Sequence, residues 1–167
     1  TYRPHEIIFL DDCSSDGSVD VAAEILDAAA IPFRIIRNET NQGVYRQWLR
    51  GVREATGDLV WIAEADDDCS PALLETLVPA FAAQEVTLAY CQSRQIDATG
   101  REIGSDYLAW TADVDATKWL QAYVRRGIDE VRDSLAVKNT IPNVSAVLMR
   151  KPDLSEIAPE LITLRNA

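Results

Sequence analysis

Short apolar runs and helix-like segments alternate along the first hundred residues. Four runs rich in β-branched and aromatic residues predict strands, namely HEIIFL, FRIIR, LVWIA and VTLAYCQSRQI. Between them lie three segments whose apolar residues recur at helical spacing, namely VDVAAEILDAAA, residues 44–55 and PALLETLVPAFAAQ. Strands that alternate with helices are typical of a parallel sheet covered by helices. The pattern therefore predicts an α/β fold with one mainly parallel sheet flanked by helices.

Capping and turn residues indicate where these elements begin and end. Ser18 is placed to act as the N-cap of the first helix, and Gly57 is placed to end the second. Pro71 suits the first turn of the third helix, which Pro79 is expected to bend. The segment DATG predicts a turn after the fourth strand. Further along, the pattern predicts one amphipathic helix from about Ala116 onward.

Composition and charge narrow the class of protein. The chain has 167 residues, of which 47% are hydrophobic and 26% are charged, as in an ordinary globular domain. Its net charge of −11 argues against a general nucleic-acid-binding surface, and no apolar run is long enough to predict a membrane span. The three cysteines, Cys13, Cys69 and Cys91, lack metal-site spacing and predict free thiols in a reducing compartment.

Two acidic clusters follow predicted strands. DDCSSD, residues 11–16, comes after the first strand, and EADDD, residues 64–68, comes after the third. Ligands of open α/β sheets bind at the carboxyl ends of the strands, so both clusters are expected to face one crevice, with Asp12 and Asp66 at the same sheet edge. The alternative is that each cluster is a solvated turn, because Asp and Ser favour turns whatever the function.

The same residues resemble a known family. PHEIIFLDDCSSDGS, followed by NETNQGVYRQWLRGVREATGDLVWIAEADDD, is similar to the inverting glycosyltransferases of family 2, which have the GT-A fold. The likeness covers roughly the first half of the chain densely, and NTIPNVSAVLMRK resembles the acceptor-side strand of some members. The resemblance implies a metal-binding D-x-D motif at Glu64, Ala65 and Asp66, with glutamate in place of the first aspartate.

The resemblance also implies a set of site residues. The residues expected to bind the nucleotide sugar are Asp11, Asp12, Ser14, Asp16, Arg46, Glu64 and Asp66. Asp66 and Asp67 are expected to hold Mg²⁺ or Mn²⁺, since such ions use carboxylate and phosphate oxygens together. Asp12 is expected to contact the base, and because a carboxylate only accepts hydrogen bonds, UDP- or dTDP-sugars are favoured while GDP-sugars remain open. For Arg46, a solvated helix surface is the alternative interpretation.

Some parts of the family pattern have no counterpart in the sequence. Residues 1–167 resemble a single incomplete GT-A domain, with 1–100 as the nucleotide-sugar half and 101–167 as the acceptor half. The first strand of the family is expected to lie outside the chain. An open sheet edge would remain in its place, and the chain is therefore expected to self-associate.

The catalytic base is not identified within the sequence. The resemblance implies an acidic residue on the acceptor side, and this residue is expected to lie beyond Ala167. Of the acids near the end of the chain, Glu156 and Glu160 resemble helix-surface residues. Because an inverting transferase needs a general base beside the acceptor hydroxyl, the chain alone is expected to be inactive.

The resemblance implies transfer of a sugar, with inversion, from a nucleotide-diphospho-sugar to a glycan or lipid-linked acceptor. It further implies a cytoplasmic protein, at the inner face of the membrane in its parent. The net charge of −11 predicts no nucleic-acid partner. Two other classes stay open: a sugar-nucleotide nucleotidyltransferase, although a Gly-rich phosphate loop is absent from the sequence, and a non-catalytic nucleotide-sugar-binding module.

Overall fold

A computed structural model describes residues 2–156, which form two compact units. The first unit contains residues 2–62, 70–88 and 148–156, and the second contains residues 63–69 and 89–147. The α/β class predicted from the sequence is confirmed. The predicted functional division into residues 1–100 and 101–167 stays a prediction.

A parallel strand pair opens the first unit. Strand β1 (Ile7–Asp11) pairs with β2 (Phe33–Arg37) in a register that sets Ile7 opposite Phe33 and Asp11 opposite Arg37. Helix α1 (Ser18–Ala29) connects the two strands. The helix begins at Ser18 itself, so the prediction of Ser18 as N-cap is wrong by one residue. The N-cap is Gly17, which has no side chain to cap the helix, and the Asp16 Oδ1 accepts the Ser18 N–H at 2.9 Å.

Helix α2 (Val44–Glu54) matches the predicted span of residues 44–55. It starts after Gly43, whose φ of 85° suits glycine, and it packs closely on β1 at Gly51. A Cβ added at Gly51 would lie 3.2 Å from Leu10 Cδ1. Gly57 does not end the helix as predicted, because Ala55 already has extended geometry and donates its N–H to the Gly51 carbonyl at 2.9 Å.

The second sheet of the chain differs from the sequence prediction. Strand β7 (Val147–Arg150) lies between β3 (Leu59–Trp61) and β4 (Leu88–Tyr90), and it runs antiparallel to β3. The described strands thus form three small sheets, with β1–β2 as the parallel pair, where the sequence predicts one mainly parallel sheet. The pairing of β3 with a strand so distant in sequence leaves no local pattern, which is why the sequence does not indicate it.

The segment after Pro71 forms a shorter helix than predicted. Helix α3 (Leu73–Leu77) passes into a 3₁₀ turn, Val78–Ala82, at the position where Pro79 is expected to bend the chain. Arg150 of β7 holds this turn, donating to the Phe81 and Val86 carbonyls at 2.8 Å each. The buried apolar residues of the first unit are Val52, Val60, Leu77, Phe81 and Leu148.

The second unit contains a hairpin and several short helical segments. Strands β5 (Gln95–Ile96) and β6 (Glu102–Gly104) are antiparallel and joined by the predicted DATG turn, in which Gly100 has a φ of 79°. Its short helical elements are α4 (Leu108–Thr111), the 3₁₀ turn Lys118–Leu120, α5 (Gly127–Glu130), the π-helix Val131–Leu135 and the 3₁₀ turn Val144–Ala146. The single helix predicted from about Ala116 is therefore wrong: extended backbone at Gln121 and Arg126 interrupts it.

A buried polar network explains that interruption. Lys118 Nζ lies 2.5 Å from Glu130 Oε2 and 2.6 Å from Ser134 Oγ, and the Lys118 and Glu130 side chains are 10% and 15% exposed. Tyr123 donates to Glu130 Oε1 at 3.2 Å, and its hydroxyl lies 2.5 Å from that of Tyr90. Burial first, then Tyr90 and Glu130, raise the pKa of Tyr123. The chain must bend between residues 120 and 127 for these side chains to meet.

Two further predictions concern the cysteines and the membrane. Cys13, Cys69 and Cys91 are free thiols, as predicted. Within residues 2–156, none of the helices combines the length and the apolar character that a membrane crossing requires.

The predictions for the last part of the chain are tested only as far as Glu156. The described part ends in a 3₁₀ turn, Leu154–Glu156. The helix to which the sequence analysis assigns Glu156 and Glu160 falls mostly on residues 157–167, which lie outside the described residues. Glu160 and Ala167 are among them, so the structure does not test the expectation that the catalytic base lies beyond Ala167.

Candidate functional site

The turn after β1 carries Asp11, which is 3% exposed. Its carboxylate oxygens accept the Ser14 N–H at 3.2 and 3.3 Å, and Arg37 Nε lies 3.3 Å from Oδ2. The Ser14 side chain, and then its backbone N–H and Arg37, lower the pKa of Asp11 against the opposing effect of burial. Asp11 therefore ties the end of β1 to the end of β2, and it fixes the turn in which Ser14 lies.

Asp12 is held by the loop between β2 and α2. Its Oδ1 accepts hydrogen bonds from Asn38 Nδ2 at 2.7 Å and the Gln42 N–H at 2.8 Å, and its Oδ2 accepts the Gly43 N–H at 2.8 Å. Burial opposes ionisation of Asp12, but these hydrogen bonds outweigh it and lower the pKa. The side-chain amide of Gln47, on α2, also helps to lower the pKa of Asp12, so donors of the loop and of the helix together surround this carboxylate.

Asp16 and Arg46 are the other predicted site residues of the first unit. Asp16 is exposed and engaged with the start of α1, and the Ser18 side chain is the main cause of its lowered pKa. Arg46 is exposed on α2, and its Nη1 donates to Gln42 Oε1 at 3.2 Å. Through Gln42, Arg46 adjoins the loop that holds Asp12.

Arg46 lines an open cleft of about 620 Å³ between the end of β2 and α2. Three more arginines line it, and the sequence analysis did not identify them: Arg37, Arg50 and Arg53. The spacing of 46, 50 and 53 places three arginines on one face of α2, which is the signal that could have found them. We call this feature the arginine cleft.

The second acidic cluster lies in the second unit and directly follows β3 in the chain. A turn brings the Asp67 N–H to 3.3 Å from the Glu64 carbonyl, and the Glu64 N–H donates to Ser145 Oγ at 3.0 Å. Glu64 is half-buried, whereas Asp66 and Asp67 are exposed. Ser145, from the predicted acceptor-side segment, is a contact that sequence analysis missed. The prediction that Asp12 and Asp66 share one sheet edge stays a prediction.

Asp66 and Asp67 can supply only part of a metal's coordination. In residues 2–156, no three His, Cys, Asp or Glu side chains converge in a way that could hold a metal ion. Mg²⁺ is nevertheless commonly bound by one or two carboxylates together with substrate phosphates, and it keeps several waters. Two exposed neighbouring carboxylates fit such a shared site, in which the ligand completes the coordination.

Acidification is expected to destabilise the first unit through Asp11 and Asp12. A carboxyl group whose pKa is lowered by folding contributes stability that is fully present above its unfolded pKa, about 4, and is lost as the pH falls through the folded pKa. We expect the free energy of unfolding, measured by urea denaturation, to fall below about pH 4, and to fall less steeply in Asp11→Asn. Asp27→Asn, an exposed change on α1, is the control. Parallel profiles for all three proteins would contradict this assignment.

Comparison with known proteins places the chain in a family. The model of glycosyl transferase family 2 matches residues 1–151. The chain is 30% identical over 125 residues to the uncharacterized glycosyltransferase YibD of Escherichia coli, covering 72% of this chain and 36% of that protein. It is 40% identical over 70 residues to a Mycobacterium tuberculosis protein described as putative glycosyltransferases, covering 42% and 20%. It is 30% identical over 76 residues to the dolichol-phosphate mannosyltransferase of Pyrococcus furiosus, covering 46% and 21%.

The chain thus spans between a fifth and about a third of the length of these relatives. The family match covers β1 to β7, including both acidic clusters and the arginine cleft. On this match, the chain belongs to glycosyl transferase family 2.

Proposed function

We propose that the protein transfers a sugar, with inversion and metal assistance, from a nucleotide-diphospho-sugar to a glycan or lipid-linked acceptor. The observation that carries this proposal is the state of Asp12. Its carboxylate is oriented by three hydrogen bonds from one loop, and these bonds lower its pKa. A carboxylate of lowered pKa acts only as a hydrogen-bond acceptor, so it suits an N–H donor of a ligand.

The donor proposed here carries uracil or thymine. Both bases offer a ring N–H to an acceptor, and an ionised Asp12 can only accept. Adenine offers its N–H donors from an exocyclic amino group on a larger ring system, so the same position of Asp12 suits it less well. Guanine also has ring and amino N–H donors, so GDP-sugars stay within the proposal.

A bound Mg²⁺ or Mn²⁺ would offset the charge of the diphosphate and stabilise it as a leaving group. Asp66 and Asp67 are the residues we propose to hold it, because both are exposed and adjacent in one turn. Glu64 would help to orient that turn, since its carbonyl accepts the Asp67 N–H and its own N–H is fixed by Ser145.

The general base of the proposed reaction is not assigned to a described residue. Inverting transfer needs a group that removes the proton of the acceptor hydroxyl. We propose that the whole protein supplies this group from beyond Ala167, so that residues 1–167 alone do not transfer sugar. The support for this proposal is the resemblance to the family, in which the base follows the acceptor-side strand.

The acceptor class is proposed from the relatives and belongs to the whole protein. The Pyrococcus relative is named for mannosyl transfer involving dolichol phosphate, which supports a lipid-linked acceptor. The proposed location is the cytoplasm, at the inner face of the membrane, and self-association through an open sheet edge is part of the same proposal.

UDP is expected to compete for the donor site about tenfold better than ADP. The reason is the extra hydrogen bond from a ring N–H to Asp12, since bonds to charged groups contribute about 1.5–3 kcal/mol. The measurement is displacement of a fluorescent UDP derivative from the full-length protein in the presence of Mn²⁺. Asp12→Asn should reduce the preference, because one acceptor oxygen becomes an N–H₂ donor, whereas Asp27→Asn should retain it. Stronger displacement by ADP than by UDP would overturn the proposed donor.

A further inference from the structure

We propose that the arginine cleft binds a phosphate-bearing ligand through its guanidinium groups alone, without a divalent cation. The cleft lies wholly within the first unit and shares Arg46 with the proposed donor site, but the proposal needs neither the donor base nor the metal proposed above. The chain would then recognise phosphate in two ways. The arginines of the cleft carry positive charge themselves, whereas the carboxylates of Asp66 and Asp67 need a divalent cation between them and the phosphate.

The charge of the cleft is opposite to that of the chain. The protein as a whole has a net charge of −11, yet four arginines and two glutamates, Glu39 and Glu54, line this cleft. Arg37 is already paired with Asp11 at 3.3 Å, so the surplus comes from the three arginines of α2. Glu54 is already engaged outside the lining set, since Arg34 Nη1 lies 2.9 Å from its Oε2. A local surplus of positive charge in an acidic protein attracts an anion to that place and not to the surface at large.

Two arginines of α2 donate hydrogen bonds to neutral side-chain amides. Arg46 donates to the Gln42 side-chain carbonyl at 3.2 Å, and Arg50 donates to that of Asn38. Among residues 2–156, Arg46, Arg50 and Arg53 form no ion pair within 4.0 Å. The amide partners orient two of these side chains and leave their charge uncompensated. An orienting but neutral partner is what a binding arginine needs, because a carboxylate would compete with the ligand.

The chemistry points to phosphate. Guanidinium groups present planar pairs of N–H donors that match two phosphate oxygens at once, and arginine keeps its charge at any physiological pH. A cleft of about 620 Å³ has room for a diphosphate with substituents. Such a group could come from a free molecule or from a lipid headgroup, and the experiment below separates these sources.

The test uses the full-length protein in excess EDTA, so that no divalent cation contributes. One arm titrates inorganic pyrophosphate by calorimetry, and the other measures sedimentation with phosphatidylcholine vesicles containing phosphatidic acid. Arg53→Gln is the main variant, because among residues 2–156 Arg53 has no ion pair whose loss would disturb the fold. Arg46→Gln is the second variant. Arg132→Gln, an exposed arginine of the second unit, is the matched control.

We expect at least one probe to bind, each cleft variant to weaken that binding about five- to tenfold, and the control to leave it unchanged. Binding of pyrophosphate alone would identify a free phosphate ligand, and binding of vesicles alone would identify a lipid headgroup. If neither probe binds in EDTA, or if both variants bind as the parent does, the proposal is overturned. Binding of UDP with Mn²⁺, measured separately, tests the proposed donor, so the two failures are distinguishable.

Discussion

Replacing Asp66 with alanine is expected to abolish the mutual dependence of metal and nucleotide binding and to reduce sugar transfer by the full-length protein about a thousandfold. The reason is that a metal shared between protein and diphosphate strengthens the binding of each partner by the same factor. Loss of metal stabilisation of a leaving diphosphate is worth several kcal/mol, and each 1.36 kcal/mol corresponds to about tenfold in rate. Calorimetry of UDP with and without Mn²⁺, together with a transfer assay, measures both effects.

The matched control for this change is Asp68→Ala, two residues further along the same exposed stretch. The Asp68 carboxylate accepts the Cys69 N–H at 2.8 Å and is not among the proposed metal ligands. Asp68→Ala should keep the coupling between Mn²⁺ and UDP. If Asp66→Ala keeps it too, Asp66 is not a metal ligand, and the assignment of the D-x-D position fails.

Replacing Lys118 with methionine is expected to destabilise the second unit by about 3–5 kcal/mol. Lys118 and Glu130 form an ion pair at 2.5 Å, with 10% and 15% of their side chains exposed. Methionine has a similar length but no charge, so the variant leaves the buried Glu130 carboxylate with only Arg125, whose Nη1 lies 3.9 Å from Oε2, as a cationic partner. Urea denaturation followed by tryptophan fluorescence measures the loss, since Trp119 is buried and its Nε1 donates to Tyr90 at 2.8 Å.

Two further variants test whether the loss of stability comes from the Glu130 charge left without Lys118. In the double variant Lys118→Met/Glu130→Leu both charges are removed, and most of the stability should return, because a buried ion pair replaced by apolar side chains is often nearly neutral. Arg132→Gln breaks exposed pairs with Asp129 and Asp133 and should cost no more than about 1 kcal/mol. A Lys118→Met protein as stable as the parent would show that the network contributes little.

The sequence predicts the elements that are governed by local pattern. Helix α2 has apolar residues at helical spacing and begins after Gly43, and the predicted span agrees with it to within one residue. The DATG turn is likewise predictable, because Gly100 can adopt the positive φ that the turn requires. The acidic residues are also recognisable from the sequence, because carboxylates that directly follow apolar strands are not explained by packing.

The sequence does not predict elements whose pairing partners are distant along the chain. The insertion of β7 between β3 and β4 involves residues far apart in sequence, and nothing in LVWIA indicates an antiparallel neighbour. The amphipathic pattern after Ala116 is real, but the Lys118–Glu130 pair and the tyrosine hydroxyls require a bent chain. At the site, the sequence predicts Asp12 as a ligand contact, whereas its three hydrogen bonds to the loop before α2 become visible only in three dimensions.

The central position of β7 has a consequence for how the protein is made. Strands β3 and β4 leave the ribosome before the strand that joins them, Val147–Arg150, because residues 91–146 come between β4 and β7. Closing such a long loop costs entropy before any contact repays it, so pairing of this kind is slow. A nascent chain that has not reached Arg150 therefore carries β3 and β4 without the strand that joins them, and unpaired strands of this kind favour aggregation.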